Sequence, residues 1–387
     1  MITANYTGKE TEFIKKELLR AYLEPLFTLL GQQEPRISYI DCFSGPLPKG
    51  SSSDLSDTSI GISMDIIEKC HNDLQEKFRK NVRFRALFIR SDQKAFDKLE
   101  GFLETDAWSG IDAHCLKGNF CDLQDEILSW CGDRDFCFFL IDPASWKDAA
   151  IPALQPLLER PSSEFMITFS FDSILRAYAQ SGPEEHGEAF LGTARDISRL
   201  PQEQKENLLF EQYCQDLKAS ASTTEGKAPR CAHVRVLYPT KQRTIYDVVY
   251  LTWSPVGIVA FMEAFEQFEG EQKKAIAQAG QTKKIKRSRQ LEMFSAEKSV
   301  ADAPRVDPGI IKEYWLSKLS EVPKQFGVEE FADMIEETGW FVDDFQKAFM
   351  ELEREGRVRN LASTGMRTEN AVRYWTNGNR GELLAMI

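Results

Sequence analysis

The sequence predicts an α/β fold: a doubly wound, mainly parallel sheet with a helical insertion, followed by a small C-terminal domain. Two observations carry this. Short, near-continuous apolar runs alternate with amphipathic helical patterns over the first two-thirds of the chain, the mark of strands buried on both faces by crossover helices. The 387 residues also exceed the roughly 250–300 at which a single core stops growing, so a second domain is expected.

The first thirty residues place Phe13, Leu18, Leu19, Tyr22, Leu26 and Leu29 on one side of a helix. A strand over Ile37–Asp41 follows. After a Ser/Gly-rich loop, Gly45–Ser59, come a helix at Ile60–Phe78, a strand at Phe84–Ile89, and helices around Ala95–Thr105 and Leu123–Trp130. Cys137–Ile141 is the strongest strand; a helix at Ala149–Leu158 leads to a strand at Glu164–Ser170. Two late strands are read at Val234–Tyr238 and Asp247–Thr252, and the polar stretch between, 178–230, reads as an insertion. An amphipathic helix, Val256–Phe268, closes the first domain, 1–268. The segment 269–307 loses hydrophobic periodicity and reads as a basic linker, with Lys283, Lys284, Lys286, Arg287 and Arg289 within seven residues. In 308–387, helices at Pro308–Leu319, from Gly327 and at Val342–Glu355 precede a final strand near Val372–Thr376. Three helices closed by a hairpin are the ground plan of a winged helix-turn-helix.

Composition narrows the classes. With 42% hydrophobic, 11% aromatic and 28% charged residues the chain is of ordinary globular type. No run approaches the roughly 18 apolar residues of a membrane span and no signal-peptide centre is seen, so the expected location is the cytoplasm. A net charge of −12, from 48 Lys+Arg and 60 Asp+Glu, argues against indiscriminate coating of nucleic acid but leaves room for a local basic site. Eight cysteines without a C-x-x-C, beside four histidines, argue against structural zinc; no metal is expected. The six-residue spacing of Cys115, Cys121, Cys131 and Cys137 is read as core thiols of a reducing compartment.

Candidate chemistry gathers at the carboxyl ends of the expected strands, where ligands of open α/β sheets bind. In Asp41-Cys42-Phe43-Ser44-Gly45, a glycine just past a strand lets backbone approach a cofactor, and Asp41 can face a cation. After the second strand, Asp92 is either the N-cap of the next helix or, by resemblance to methyltransferases, which usually place there an acid that accepts ribose hydroxyls, such an acceptor, with Arg90 standing where that acid is most expected. Gly118-Asn119-Phe120 reads as a polar turn capping the helix from Leu123, and it resembles the short G-(D/N)-F segment that contacts the adenine of the cofactor in S-adenosylmethionine-dependent methyltransferases. The apolar strand ending at Ile141 runs into Asp142-Pro143-Ala144-Ser145-Trp146. There a carboxylate and a following carbonyl can orient an exocyclic amine against an aromatic ring.

The first of these segments is similar to the D-x-F-x-G of S-adenosylmethionine-dependent methyltransferases. The last is similar to the (D/N)-P-P-(Y/F) of amino-group methyltransferases, with Ala144 for the second proline and Trp146 one place late. The order of features also resembles the three-Cys-motif partner proteins, a bacterial family with a Rossmann-like methyltransferase core. The likeness runs through Tyr22-Leu23, Ile37–Pro46, Phe138–Pro143, Phe169–Arg176 and Tyr250–Gly257, and thus most of residues 1–270. It implies S-adenosylmethionine as cofactor, held by Asp41, Phe43, Ser44, Gly45, Asp92, Asn119 and Phe120. It implies Asp142, Pro143 and Trp146 at the acceptor, often a winged-helix tail, and a separate protein bearing a three-cysteine motif as partner.

The resulting expectation is a methyltransferase acting on nucleic acid, the residues Lys283, Lys284, Lys286, Arg287 and Arg289 and a basic wing (six Arg against two Glu over 354–380) meeting phosphates. The alternative is a catalytically inactive scaffold that binds nucleic acid or protein, which Leu47, Arg90 and Ala144 favour. An NAD(P)-dependent oxidoreductase lacks its phosphate fingerprint here, because Pro46-Leu47-Pro48 interrupts the loop.

Overall fold

The computed structural model describes residues 10–45, 55–104, 108, 110–143, 145–169, 201–223, 226–237, 244–270 and 306–387. They form two compact units that meet in sequence at Trp253/Ser254.

The first unit contains α1 (Glu10–Gln33), β1 (Arg36–Asp41), α2 (Ser59–Phe78), β2 (Arg83–Arg90), α3 (Gln93–Leu103), β3 (Ile111–Lys117), α4 (Gln124–Cys131), β4 (Phe136–Ile141), α5 (Ile151–Leu158), β5 (Ser163–Phe169), α6 (Gln202–Ser220), β6 (Arg230–Leu237) and β7 (Thr244–Thr252). The strands make one seven-stranded sheet in the order β3-β2-β1-β4-β5-β7-β6. The first five are parallel, with Ile37 beside both Phe84 and Phe136, whereas β7 runs antiparallel to β5 and β6. A sheet of this order is a Rossmann-like, doubly wound arrangement with an antiparallel strand inserted near one edge.

Alternation along β1 and β4 sets the two core layers. Tyr39 and Phe138 meet Phe27 of α1 edge-on, with ring centroids 6.0 and 6.1 Å away, whereas Ile40, Phe139 and Ile141 join the opposite layer with Ile127, Leu154 and Leu157. Every residue of Cys137–Ile141 is buried, which explains why that strand reads as an unbroken apolar run. Two sequence expectations change. Strand β3 was not anticipated, because it lies at the sheet edge, is mostly half-buried and carries Asp112, His114 and Lys117. Within the stretch expected as an insertion, α6 buries Leu209, Phe210, Tyr213 and Leu217 in the sheet core, so this part of the connection between β5 and β6 packs on the sheet.

The second unit begins with a helix over residues 255–270, here α7, which the sequence had been expected to give to the sheet domain. Phe265 of α7 stacks on Phe341 (6.4 Å), the amide of Asp343 donates to Glu266 (3.2 Å), and the Tyr374 hydroxyl bonds Glu263. There follow α8 (Pro308–Lys318), β8 (Lys324–Phe326), α9 (Val328–Thr338), α10 (Val342–Arg354), β9 (Val358–Asn360) and β10 (Glu382–Met386). These strands form an antiparallel sheet ordered β8-β10-β9 around buried Trp315, Phe331, Phe345 and Phe349. The last strand is therefore Glu382–Met386; Val372–Thr376 is no strand, its Val372 amide being taken by the Gln346 side chain (2.9 Å).

Candidate active site

Strand β1 delivers Asp41 to the carboxyl edge of the sheet with its side chain buried. The chain then turns tightly: the Phe43 amide donates to Asp41 Oδ1 (3.1 Å), Ser44 Oγ donates to the Asp41 carbonyl (3.3 Å), and the Ser44 amide reaches the Ile89 carbonyl of β2 (3.2 Å). Burial pushes the Asp41 carboxyl up to about 7, against the Phe43 amide, which favours the charged form; nearby Asp142 raises it further and Arg90 and Lys15 lower it. Gly45 has no positive φ, and its role is space: a Cβ there would lie 2.9 Å from Ser59 Oγ at the start of α2.

Strand β4 delivers Asp142, half-buried, to the same edge. Both of its oxygens are engaged. Lys15 of α1 donates to Oδ1 at 2.5 Å and to Oδ2 at 2.7 Å, and the Thr168 hydroxyl of β5 also bonds Oδ1. The Lys15 ammonium lies 5.2 Å from the ring centroid of Tyr246 of β7, whose buried hydroxyl has no hydrogen-bond partner among the described residues. Burial, then Asp142, holds that phenol well above its usual range. Asp41, Phe43, Gly45, Asp142, Thr168 and Tyr246 line one cavity of about 70 Å³, with Lys15 and the apolar Leu18, Leu19 and Met166.

At the end of β2, Arg90 Nη1 donates to the carbonyls of Ser44 (2.5 Å) and Gly45 (3.0 Å), so the residue in the place of an expected acid fastens the β1 loop. Asp92 caps α3, Oδ1 accepting from the Ala95 amide (2.9 Å). Phe120 is buried and its ring lies 5.0 Å from that of Phe43, bringing the third candidate segment to the first. Asn119 donates to Asp122 (3.2 Å) and makes no side-chain cap.

Asp41, Phe43, Gly45 and Asp142 thus share a cavity, whose lining does not include Ser44, Asp92, Asn119, Phe120 or Pro143. Ser44 is fully buried and serves the turn. Trp146 opens a short turn, Trp146–Ala149, but its side chain lies outside the described residues, as do Ala144 and all of Lys283, Lys284, Lys286, Arg287 and Arg289. Sequence reasoning missed Lys15, Thr168 and Tyr246. None carries a motif: Lys15 is one of several charged residues of α1, and Thr168 and Tyr246 are single polar positions of strands, so only the tertiary arrangement brings them to Asp142. In the second unit, Arg367 is taken by a bidentate pair with the nearly buried Glu382 (2.7 and 2.8 Å), leaving fewer arginines over 354–380 for phosphates than the six counted in sequence.

No protein-family model and no curated protein matches the chain. Among solved structures it is similar to a protein of Legionella pneumophila strain Philadelphia 1, with 9% identity and a TM-score of 0.36 over 66% of this chain and 89% of that one. It is similar to an O-methyltransferase of Bacillus cereus in complex with SAH (11%, TM-score 0.31, 59% and 80% of the chains). It is also similar to the O-methyltransferase TomG of Streptomyces achromogenes in complex with SAM (12%, TM-score 0.29, 65% and 99%). At this level of likeness no residue role passes to this chain, and the site is read from its own geometry.

Proposed function

We propose that the chain is an S-adenosylmethionine-dependent methyltransferase of the three-Cys-motif partner type, acting on an acceptor held at Asp142. The observation that carries this is the convergence of the Asp41–Gly45 turn, Asp142, Thr168 and Tyr246 on one cavity at the carboxyl edge of a Rossmann-like sheet. The cofactor is a cation at its sulfonium and amino groups, and it fits the buried Asp41: that carboxyl takes one hydrogen bond on Oδ1 and is held near neutrality by burial. The Phe43–Phe120 ring pair offers an apolar wall for adenine, and the second oxygen of Asp92 remains for ribose. When bound, the cofactor supplies an electrophilic methyl group; the chain supplies a desolvated cavity, the carboxylate of Asp142 and the unpartnered phenol of Tyr246 to orient the acceptor. A nucleic-acid acceptor with an exocyclic amine is the finer reading, resting on the sequence of the Asp142 segment and the basic run.

Calorimetric titration of the full chain with S-adenosylmethionine, S-adenosylhomocysteine and NAD tests it. The first binds, NAD does not, and near pH 7 binding of the cation releases protons from Asp41, so the heat depends on the buffer's ionisation enthalpy. Absence of heat with all three overturns the proposal. One observation favours a second reading, a non-catalytic scaffold: Lys15 already occupies both oxygens of Asp142, where an acceptor amine would donate.

A further inference from the structure

A second cavity opens at the opposite, amino edge of the sheet. Arg36 begins β1, Arg83 and Arg85 begin β2, and Trp130–Asp135 join α4 to β4; together they line a space of about 350 Å³. Six-residue parallel strands separate this edge from Asp41 by about 20 Å, so the cavity is distinct from the site above.

Its charge is uneven. The guanidinium groups of Arg36, Arg83, Arg85 and Arg134 line it, and that of Arg160 lies behind, bonded to the carbonyls of Gly132 (2.7 Å) and Asp135 (2.6 Å). Against these five stand Asp112, Asp133 and Asp135, leaving two positive charges in a chain of net −12. The acids are largely spent. Asp135 is held by Arg36 (3.1 Å), Arg85 (3.0 Å) and Ser38 (3.2 Å), and Asp112 by Arg83 (3.3 Å), Arg85 (3.4 Å) and His114 (2.7 Å). An ion network that ties strand ends together accounts for Arg36 and Arg85. It leaves two arginines facing solvent. Arg134 is exposed and its guanidinium pairs with no described residue, and Arg83, beyond its contact with Asp112, is 63% exposed beside the cavity; the Arg85 guanidinium lies 3.8 Å from the centroid of the Trp130 ring.

We propose that this cavity binds a phosphate-bearing anion, with Arg83 and Arg134 as its donors and Arg85, locked between Asp135 and the indole, as a fixed positive wall. Planar guanidinium groups converging on a polar cavity match the oxygens of a phosphate. The group belongs either to a nucleotide or to the backbone of a polynucleotide.

The test is calorimetry on the full-length chain with tripolyphosphate as probe, comparing the native sequence with the double variant Arg83→Gln, Arg134→Gln. Both side chains are exposed, so thermal stability without ligand is expected to be unchanged. Tripolyphosphate affinity falls at least about tenfold in the variant, and its salt dependence flattens, while S-adenosylmethionine titrates as before at the other edge. Competition then identifies the source: displacement of tripolyphosphate by a 20-nucleotide single strand but not by ATP assigns a polynucleotide backbone, and the reverse assigns a nucleotide. No binding in the native chain, equal binding in the double variant, or equal competition by sulfate overturns the site.

Discussion

Asp142 is where residue chemistry and proposed function meet most directly. Its carboxylate receives Lys15 and Thr168, and removal of one partner from a half-buried pair leaves the other poorly solvated. Asp142→Asn keeps an acceptor oxygen for Thr168 and for a substrate amine, whereas Asp142→Ala keeps none. Methyl transfer is therefore expected to persist, reduced, in the Asn variant and to vanish in the Ala variant, with cofactor affinity in a direct titration changed less than about threefold. Equal transfer in the Ala variant removes Asp142 from the site. Gly45 makes a complementary case. Its φ is ordinary, so the penalty for a side chain there is contact with Ser59 and with the cavity it lines, not backbone strain. Gly45→Val should leave a cooperatively folding protein that no longer binds S-adenosylmethionine; a folded variant with unchanged affinity would show that the β1 turn does not hold the cofactor.

At the scale of elements, legibility followed burial. Cys137–Ile141 is buried on both faces and could be read directly; β3 sits at an edge, and its Ile111-Asp112-Ala113-His114-Cys115 alternates instead of forming the continuous apolar run by which the inner strands were read. Helix α6 was obscured for another reason: its exposed face is rich in Glu and Gln, and the buried Leu209, Phe210, Tyr213 and Leu217 are too few to outweigh that composition in a linear reading. The strand-end acids Asp41 and Asp142 were legible because a short motif carries them, while Lys15 and Tyr246 reach the same cavity only through the order of helices and strands. A buried carboxyl inside a strand is the sharpest element-level test. Glu164 of β5 receives the Tyr250 hydroxyl (2.5 Å) and the Thr252 hydroxyl from β7, yet burial pushes it up to about 7. The folded protein thus holds a proton that the unfolded chain has already released, and stability contributed by this group is present below about pH 4.5 and lost as pH rises to about 7. Glu164→Gln should remove that slope and be more stable than the native chain at pH 8, by at most about 3 kcal/mol. Denaturant titrations at pH 5 and 8 measure it, and an equal loss of stability in the two proteins between those pH values would refute the assignment.

For the whole molecule, the division at 253/254 and the charge of the tail decide what the second unit contributes. Helix α10 is the one a winged helix would set into a groove, yet it carries Asp343, Asp344, Glu351 and Glu353 against Lys347 and Arg354. Its first turn, the end that reads bases in such folds, holds both aspartates, and the Asp343 amide is already taken by Glu266 of α7. Phosphate contact by the tail, if the acceptor is nucleic acid, therefore falls to Lys283, Lys284, Lys286, Arg287 and Arg289. Their field survives a net charge of −12 because salt screens distant acids beyond about 8 Å. Replacing those five by Gln should lower the slope of log affinity against log salt for unrelated sequences by about 3 to 4 for single strands, whereas Lys347→Ala with Arg354→Ala leaves it unchanged. A slope that falls with the α10 variant instead would make that helix the reader after all. If the native chain shows no salt-dependent binding to DNA or RNA, both the basic run and the arginines at the amino edge lose a polynucleotide as ligand. The exposed Leu361, Met366 and Trp375 of the second unit then become the natural face for a protein partner, and the scaffold reading gains over the enzyme.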